Sequence, residues 1–149
     1  MIVFLDTSTI LAASWSAKGL SHLLIDYGSK AGWDLITADY CVAEVERNLL
    51  KHRSGAARWN RIIRPALEVV GSVYVIDRPI VFDATKDRPV ILSAIGSKSD
   101  YLVTSDTTDF RHLLGTAVYG VNVRTPKTFL LELGVVEPAW ARTGLEGNG

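Results

Sequence analysis

The sequence predicts a three-layer α/β/α sandwich, with a mainly parallel sheet of about five strands covered by helices on both faces. Three observations carry that expectation. Short apolar runs rich in Val, Ile and Leu recur along the chain, and segments with helical spacing alternate with them. The runs are apolar on consecutive residues rather than every second one, as strands buried on both faces are. Glycines stand just past the helical segments, where helices commonly stop. Strand–helix alternation of this kind gives parallel sheets with right-handed crossovers.

The elements read in order as follows. Residues 2–5, Ile-Val-Phe-Leu, form a buried strand that ends at Asp6. Thr7 or Ser8 could cap a short helix after it. Residues 18–31 carry Leu20, Leu23, Leu24 and Tyr27 at helical spacing and stop at Gly32. Residues 33–37 predict a second strand, and Thr37 or Asp39 caps a helix running to about Arg53. Ser54-Gly55 breaks that pattern, and a further helix is expected over 56–70, closed by Gly71. A third strand follows at 73–76, then a loop over 77–86. Residues 89–95 are apolar nearly all round, which predicts a buried helix ending at Gly96. Residues 101–104 predict a fourth strand, 110–114 a short helical piece and 117–123 a fifth strand. Thr125-Pro126 is a strong helix start, an N-cap followed by proline, and that helix ends near Gly134. Residues 1–142 are expected to form one domain and 143–149 a flexible tail.

Composition narrows the function classes. The chain is 48% hydrophobic and 21% charged, ordinary for a soluble globular protein. Its single cysteine, Cys41, excludes an internal disulfide and a cysteine-rich metal site. The apolar N-terminus holds Asp6 and lacks a basic segment, unlike a signal peptide. No stretch approaches the roughly 18 uncharged apolar residues of a membrane span. A cytoplasmic protein with no membrane association is expected. Sixteen basic residues balance sixteen acidic ones, so a globally basic nucleic-acid binder is excluded. The charge is uneven, however: Arg47, Lys51, Arg53, Arg58, Arg61 and Arg64 occur over 47–67 with no acidic residue among them. Such a patch can hold phosphates, or it can be a solvated helix face.

Ligands of open parallel sheets bind beyond the carboxyl ends of the strands. Asp6 and Asp106 stand at two such ends, Asp109 lies one turn beyond Asp106, and Asp87 opens the helix expected at 89–95. Neighbouring carboxylates resist ionising together unless a cation neutralises them. Oxygen ligands without cysteine or convergent histidine favour Mg²⁺ or Mn²⁺, and such ions commonly serve phosphodiester hydrolysis. Each residue also has a plainer reading. Asp87 before Arg88-Pro89 is a plausible helix cap, Asp106 and Asp109 could be turn residues, and Asp100 reads as a turn residue rather than a ligand. His22, His52 and His112 show no metal-ligand spacing.

These residues fall into a known order. Val-Phe-Leu-Asp6-Thr7-Ser8, then Val42-Ala43-Glu44-Val45, then an Asp87-started apolar helix followed by Asp100-Tyr-Leu-Val-Thr-Ser-Asp106-Thr-Thr-Asp109-Phe110 resemble the motifs of the PIN-domain family. The resemblance runs to about Leu133, and its last block is the most specific. It implies a PIN-like fold and Mg²⁺- or Mn²⁺-dependent cleavage of RNA. By motif, Asp6, Glu44, Asp87 and Asp106 form the catalytic set, with Asp6, Asp87, Asp106 and Asp109 at the metal. Ser8 and Thr104 or Ser105 would orient carboxylates or waters. Many small members look like VapC-type toxins, which implies an antitoxin partner and a homodimer. One departure stands out: on a helical wheel Glu46, not Glu44, falls nearest the stripe of Val42, Val45, Leu49 and Leu50.

For the substrate, Arg53, Arg58, Arg61 and Arg64 are the expected RNA contacts, the last three recurring every third residue along one helix face. A single-stranded or structured RNA is expected, because sequence-specific readers usually target unpaired loops. Two other readings compete. A haloacid-dehalogenase-type phosphatase wants a second acid two residues after the first, where this chain has Ser8. A catalytically silent PIN-like module that binds RNA or protein is the alternative from another class.

Overall fold

The computed structural model describes residues 1–51, 53–71 and 88–138. Their centre is a six-stranded sheet in the order β3-β2-β1-β4-β6-β5. It comprises β1 (Ile2–Leu5), β2 (Asp34–Ala38), β3 (Glu68–Val70), β4 (Tyr101–Val103), β5 (Ala117–Val118) and β6 (Val121–Arg124). All neighbours pair in parallel except β5 with β6. The helices are α1 (Thr7–Trp15), α2 (Leu20–Ala31), α3 (Asp39–Lys51), α4 (Ala56–Arg58), α5 (Arg88–Gly96) and α6 (Pro126–Glu132).

Strand β1 is the middle of the molecule because both of its faces are apolar. Val3 and Leu5 enter a core with Ile10, Leu24, Ile63 and Phe129, which packs α1, α2 and α6 on one side of the sheet. Phe4 points the other way, into a core with Ile36, Ile91, Leu102 and Phe110 under α5. The period-two alternation of a strand sorts the three residues, and all are fully buried. The three-layer sandwich follows from these two cores. Tight approach at α2 adds to the first: a Cβ on Gly28 would lie 2.6 Å from the Trp33 ring.

Several boundaries differ from expectation, each for a local reason. The helix expected over 56–70 is broken. A π turn over Trp59–Ile63 and a 3-10 turn over Arg64–Ala66 extend α4, but Pro65 has no N–H to continue the ladder. The chain then extends, and Glu68–Val70 pairs with Ile36–Ala38 as β3. The strand expected at 73–76 lies outside the described residues. The expected strand over 117–123 is a hairpin instead. Tyr119 and Gly120 both take positive φ, 47° and 85°, the backbone of a two-residue turn that folds a strand back on itself. The described residues therefore hold six strands, against about five expected for the chain. The expected cap of α1 is also corrected: it is Asp6, not Thr7 or Ser8, that accepts from Thr9 N. Thr37 donates its hydroxyl to Leu5 O at 2.8 Å. Thr125 does cap α6, accepting from Thr128 N.

Candidate active site

The chain passes from β1 outward to β2 and β3, then returns to place β4 on the other side of β1. The crevice between β1 and β4 is thus a topological switch point, where open α/β sheets bind ligands. Leu5 pairs with Val103 there, so Asp6 and Thr104 leave the sheet side by side. Asp6 N donates to Val103 O at 3.2 Å, and Thr104 N to Arg124 O at 3.0 Å.

Asp6 is 5% exposed and heavily bonded. Oδ1 accepts from Ser8 Oγ at 2.6 Å and Thr9 N at 3.1 Å, and Oδ2 accepts from Thr104 Oγ1 at 2.6 Å. Burial pushes its carboxyl above the usual range, the nearby Asp106 charge adds to that rise, and the three donors oppose it. Thr104 Oγ1 in turn accepts from Asp106 N at 3.1 Å, and Ser8 Oγ from Ser105 N at 3.0 Å. Asp106 Oδ1 accepts from the amides of Thr108 and Asp109 at 3.1 and 2.9 Å. The plainer reading of Asp106 as a turn residue therefore holds for one oxygen, while Oδ2 has no donor among the described residues.

Asp6, Asp106, Asp109 and Glu44 line one open cavity of about 510 Å³. Glu44 comes from α3, where Thr7 Oγ1 donates to its Oε2 at 3.0 Å. Glu46 lines a different hollow, with Arg47, Leu50 and Trp59. Leu50 is 75% exposed, and the buried stripe of α3 is Cys41, Val45 and Leu49, which leaves Glu44 and Glu46 on opposite flanks of the helix. Asp87 lies outside the described residues. Tyr40 also lines the cavity, one helical turn before Glu44, with its hydroxyl 3.5 Å from Ser93 Oγ. Its spacing to Glu44 was the available signal. Burial drives the Tyr40 phenol far above its ordinary range, so the group stays protonated and can donate.

The donor set is all oxygen. Among the described residues, three of the roughly four acceptor positions of the Asp6 carboxylate are taken, which leaves one, and Asp106 Oδ2 is open. Among the described residues no three histidine, cysteine or acidic side chains gather closely enough to hold an ion unaided. A hydrated Mg²⁺ needs only one or two carboxylates, with waters and phosphate oxygens completing its shell, so the residues fit such an ion.

A crystal structure supplies the comparison. The fold is shared with VapBC2. A chain of VapBC2 from Rickettsia felis, bound to a DNA fragment from their promoter, matches 84% of this chain and 98% of its own length. The TM-score is 0.60 and the sequence identity 14%. That VapBC2 likeness establishes the α/β/α architecture. No family model matches the sequence, and no curated protein does.

The basic residues lie elsewhere. None of Arg53, Arg58, Arg61 and Arg64 lines the carboxylate cavity. Arg58 Nη1 donates to Ser14 O at 2.9 Å, which ties it to the end of α1. Arg61 and Arg64 are exposed, and Arg53 borders the hollow that contains Glu46. The π turn also departs from the spacing that would align every third side chain. Among the described residues no helix is long and apolar enough to cross a membrane.

Proposed function

We propose that this chain is a Mg²⁺- or Mn²⁺-dependent endoribonuclease. The observation that carries the reading is a buried, three-fold hydrogen-bonded Asp6 beside Asp106 in a cavity that also receives Glu44 and Asp109. A carboxylate raised by burial and by a like charge is costly, and a divalent cation offsets that cost. Asp6 and Asp106 would hold the ion, with Asp109 and Asp87 completing the acidic set. The ion would activate water and stabilise the leaving oxygen of an in-line displacement. Ser8 and Thr104 fix the Asp6 carboxylate so that its remaining lone pair is presented to the cavity. Glu44, held by Thr7, is placed to accept a proton from the attacking water. Tyr40 can donate to a phosphate oxygen.

The motif order and the VapBC2 architecture together support a toxin paired with an antitoxin protein, and a homodimer is proposed with it. The test is a calorimetric titration of Mn²⁺ into the wild type and Asp106→Asn, followed by an RNA-cleavage screen of both. Saturable binding and cleavage, both lost in the variant, are expected. Metal-independent RNA retention that survives Asp6→Asn would instead establish a silent RNA-binding module.

A further inference from the structure

Beside the carboxylate cavity, a second hollow of about 350 Å³ opens where the start of α2 faces the turn that carries Asp106. Ser105 and Thr107, on either side of Asp106, line it from that turn, and Lys127 from α6. Ser21, on the opposite wall, is 6% exposed, yet its hydroxyl has no hydrogen-bond partner among the described residues. Buried hydroxyls are ordinarily satisfied. Ser14 solves the problem by donating to Ile10 O one turn back, but Ser21 is the second residue of α2 and has no such turn behind it. The helix start is open as well. Gly19 is its N-cap and supplies no side-chain bond, and no acceptor for the amides of Leu20, Ser21 and His22 is found among the described residues. Aligned amides at a helix start, a buried hydroxyl and a lysine are donors of the kind that take an anionic oxygen. The rest of the wall is apolar, Ala12, Leu20 and Pro126 among it, and suits the sugar that follows a phosphate.

We propose that this hollow binds the phosphate of a nucleotide flanking the cleaved bond of a single-stranded RNA. The inference rests on the proposed nuclease reading, since the two cavities are joined by the backbone of residues 105–107. A strand crossing the carboxylates would present its next phosphate to Ser21 and Lys127.

The test is an amide-resolved NMR titration of the metal-free protein, first with inorganic phosphate and then with a short single-stranded RNA oligonucleotide. Saturable shifts of the Leu20, Ser21 and His22 amides are expected with both probes. Ser21→Ala should weaken both by about tenfold, the loss of one hydrogen bond to a charged group. Because the serine hydroxyl bonds nothing among the described residues, that variant should keep its melting temperature and its Mn²⁺ binding. Lys127→Gln should lower the salt dependence of RNA binding by about one counterion. Shifts with phosphate but not with RNA would mean an adventitious ion only and overturn the proposal, as would amides that respond to neither. RNA cleavage without these shifts would leave the nuclease reading standing and remove the subsite. RNA-induced shifts without cleavage in Mn²⁺ would do the reverse.

Discussion

Thr104 Oγ1 donates to Asp6 Oδ2 at 2.6 Å across 98 positions of sequence. The same hydroxyl accepts from Asp106 N at 3.1 Å. One side chain thus bonds the carboxylate at the end of β1 and the backbone at the start of the Asp106 turn. Thr104→Val keeps the shape and removes both bonds, leaving a buried carboxylate oxygen and an amide short of partners. A loss of about 1–3 kcal/mol is expected, together with weaker Mn²⁺ binding at neutral pH because a donor that lowers the Asp6 pKa is gone. Thermal unfolding and metal titration of the variant check this. An unchanged melting temperature would mean that Thr104 does not hold the site together.

Asp6 makes stability depend on pH in a stated direction. Its carboxyl is raised above its ordinary 3.8 in the folded chain, so the native state binds its proton more tightly than the unfolded one. That contribution is fully present below about pH 4 and is lost as pH rises through the folded value. Asp6→Asn removes the titration. The stability of the variant relative to the metal-free wild type should therefore grow from about pH 4 upward and then level off. Saturating Mn²⁺ should stabilise the wild type at neutral pH and leave the variant unmoved. Parallel wild-type and variant melting curves across the pH range would contradict this account of Asp6.

Much of this arrangement is legible in the sequence because it is local. An apolar run closed by Asp6 marks a buried strand and its exit, and Thr125-Pro126 marks the start of α6, without reference to anything distant. β3 is not legible: Val69-Val70 continues the apolar content of the preceding helical turns, and only pairing with Ile36–Ala38 makes it a strand. The Tyr119-Gly120 turn is hidden because tyrosine seldom takes positive φ. On α3 motif order points to Glu44 and a helical wheel to Glu46, and it is Glu44 that lines the carboxylate cavity. The buried stripe of Cys41, Val45 and Leu49 leaves the two glutamates on opposite flanks of α3, so a wheel alone does not choose between them. The roles of Thr104 and Ser21 depend on contacts between segments far apart in sequence, which no local pattern encodes.

Glu44 and Glu46 offer a paired comparison. They stand two residues apart on α3, but only Glu44 lines the carboxylate cavity. Glu44→Gln should lower cleavage by a factor on the order of 10²–10⁴, the range for a group that takes a proton in the reaction, with the fold intact. Glu46→Gln should leave cleavage unchanged. Measured kcat/KM for the two variants decides it, and equal losses would place the functional carboxylate elsewhere on the helix.

Cys41 reports on the integrity of the same region. It is fully buried in the second core, and burial pushes its thiol up, with Thr7 and Thr37 acting in the opposite direction. The reactive thiolate is therefore scarce at neutral pH and shielded from reagents. Modification by a soluble disulfide reagent should be slow in the native protein and should accelerate with denaturant as opening becomes populated. Thr7 bridges Cys41 to the site, because its hydroxyl donates to Glu44. Thr7→Val should therefore both free Glu44 and slow labelling of Cys41 in the native protein, because a group that holds the thiol's pKa down is gone. A labelling rate that ignores Thr7 while cleavage falls would separate the two and confine the role of Thr7 to holding Glu44.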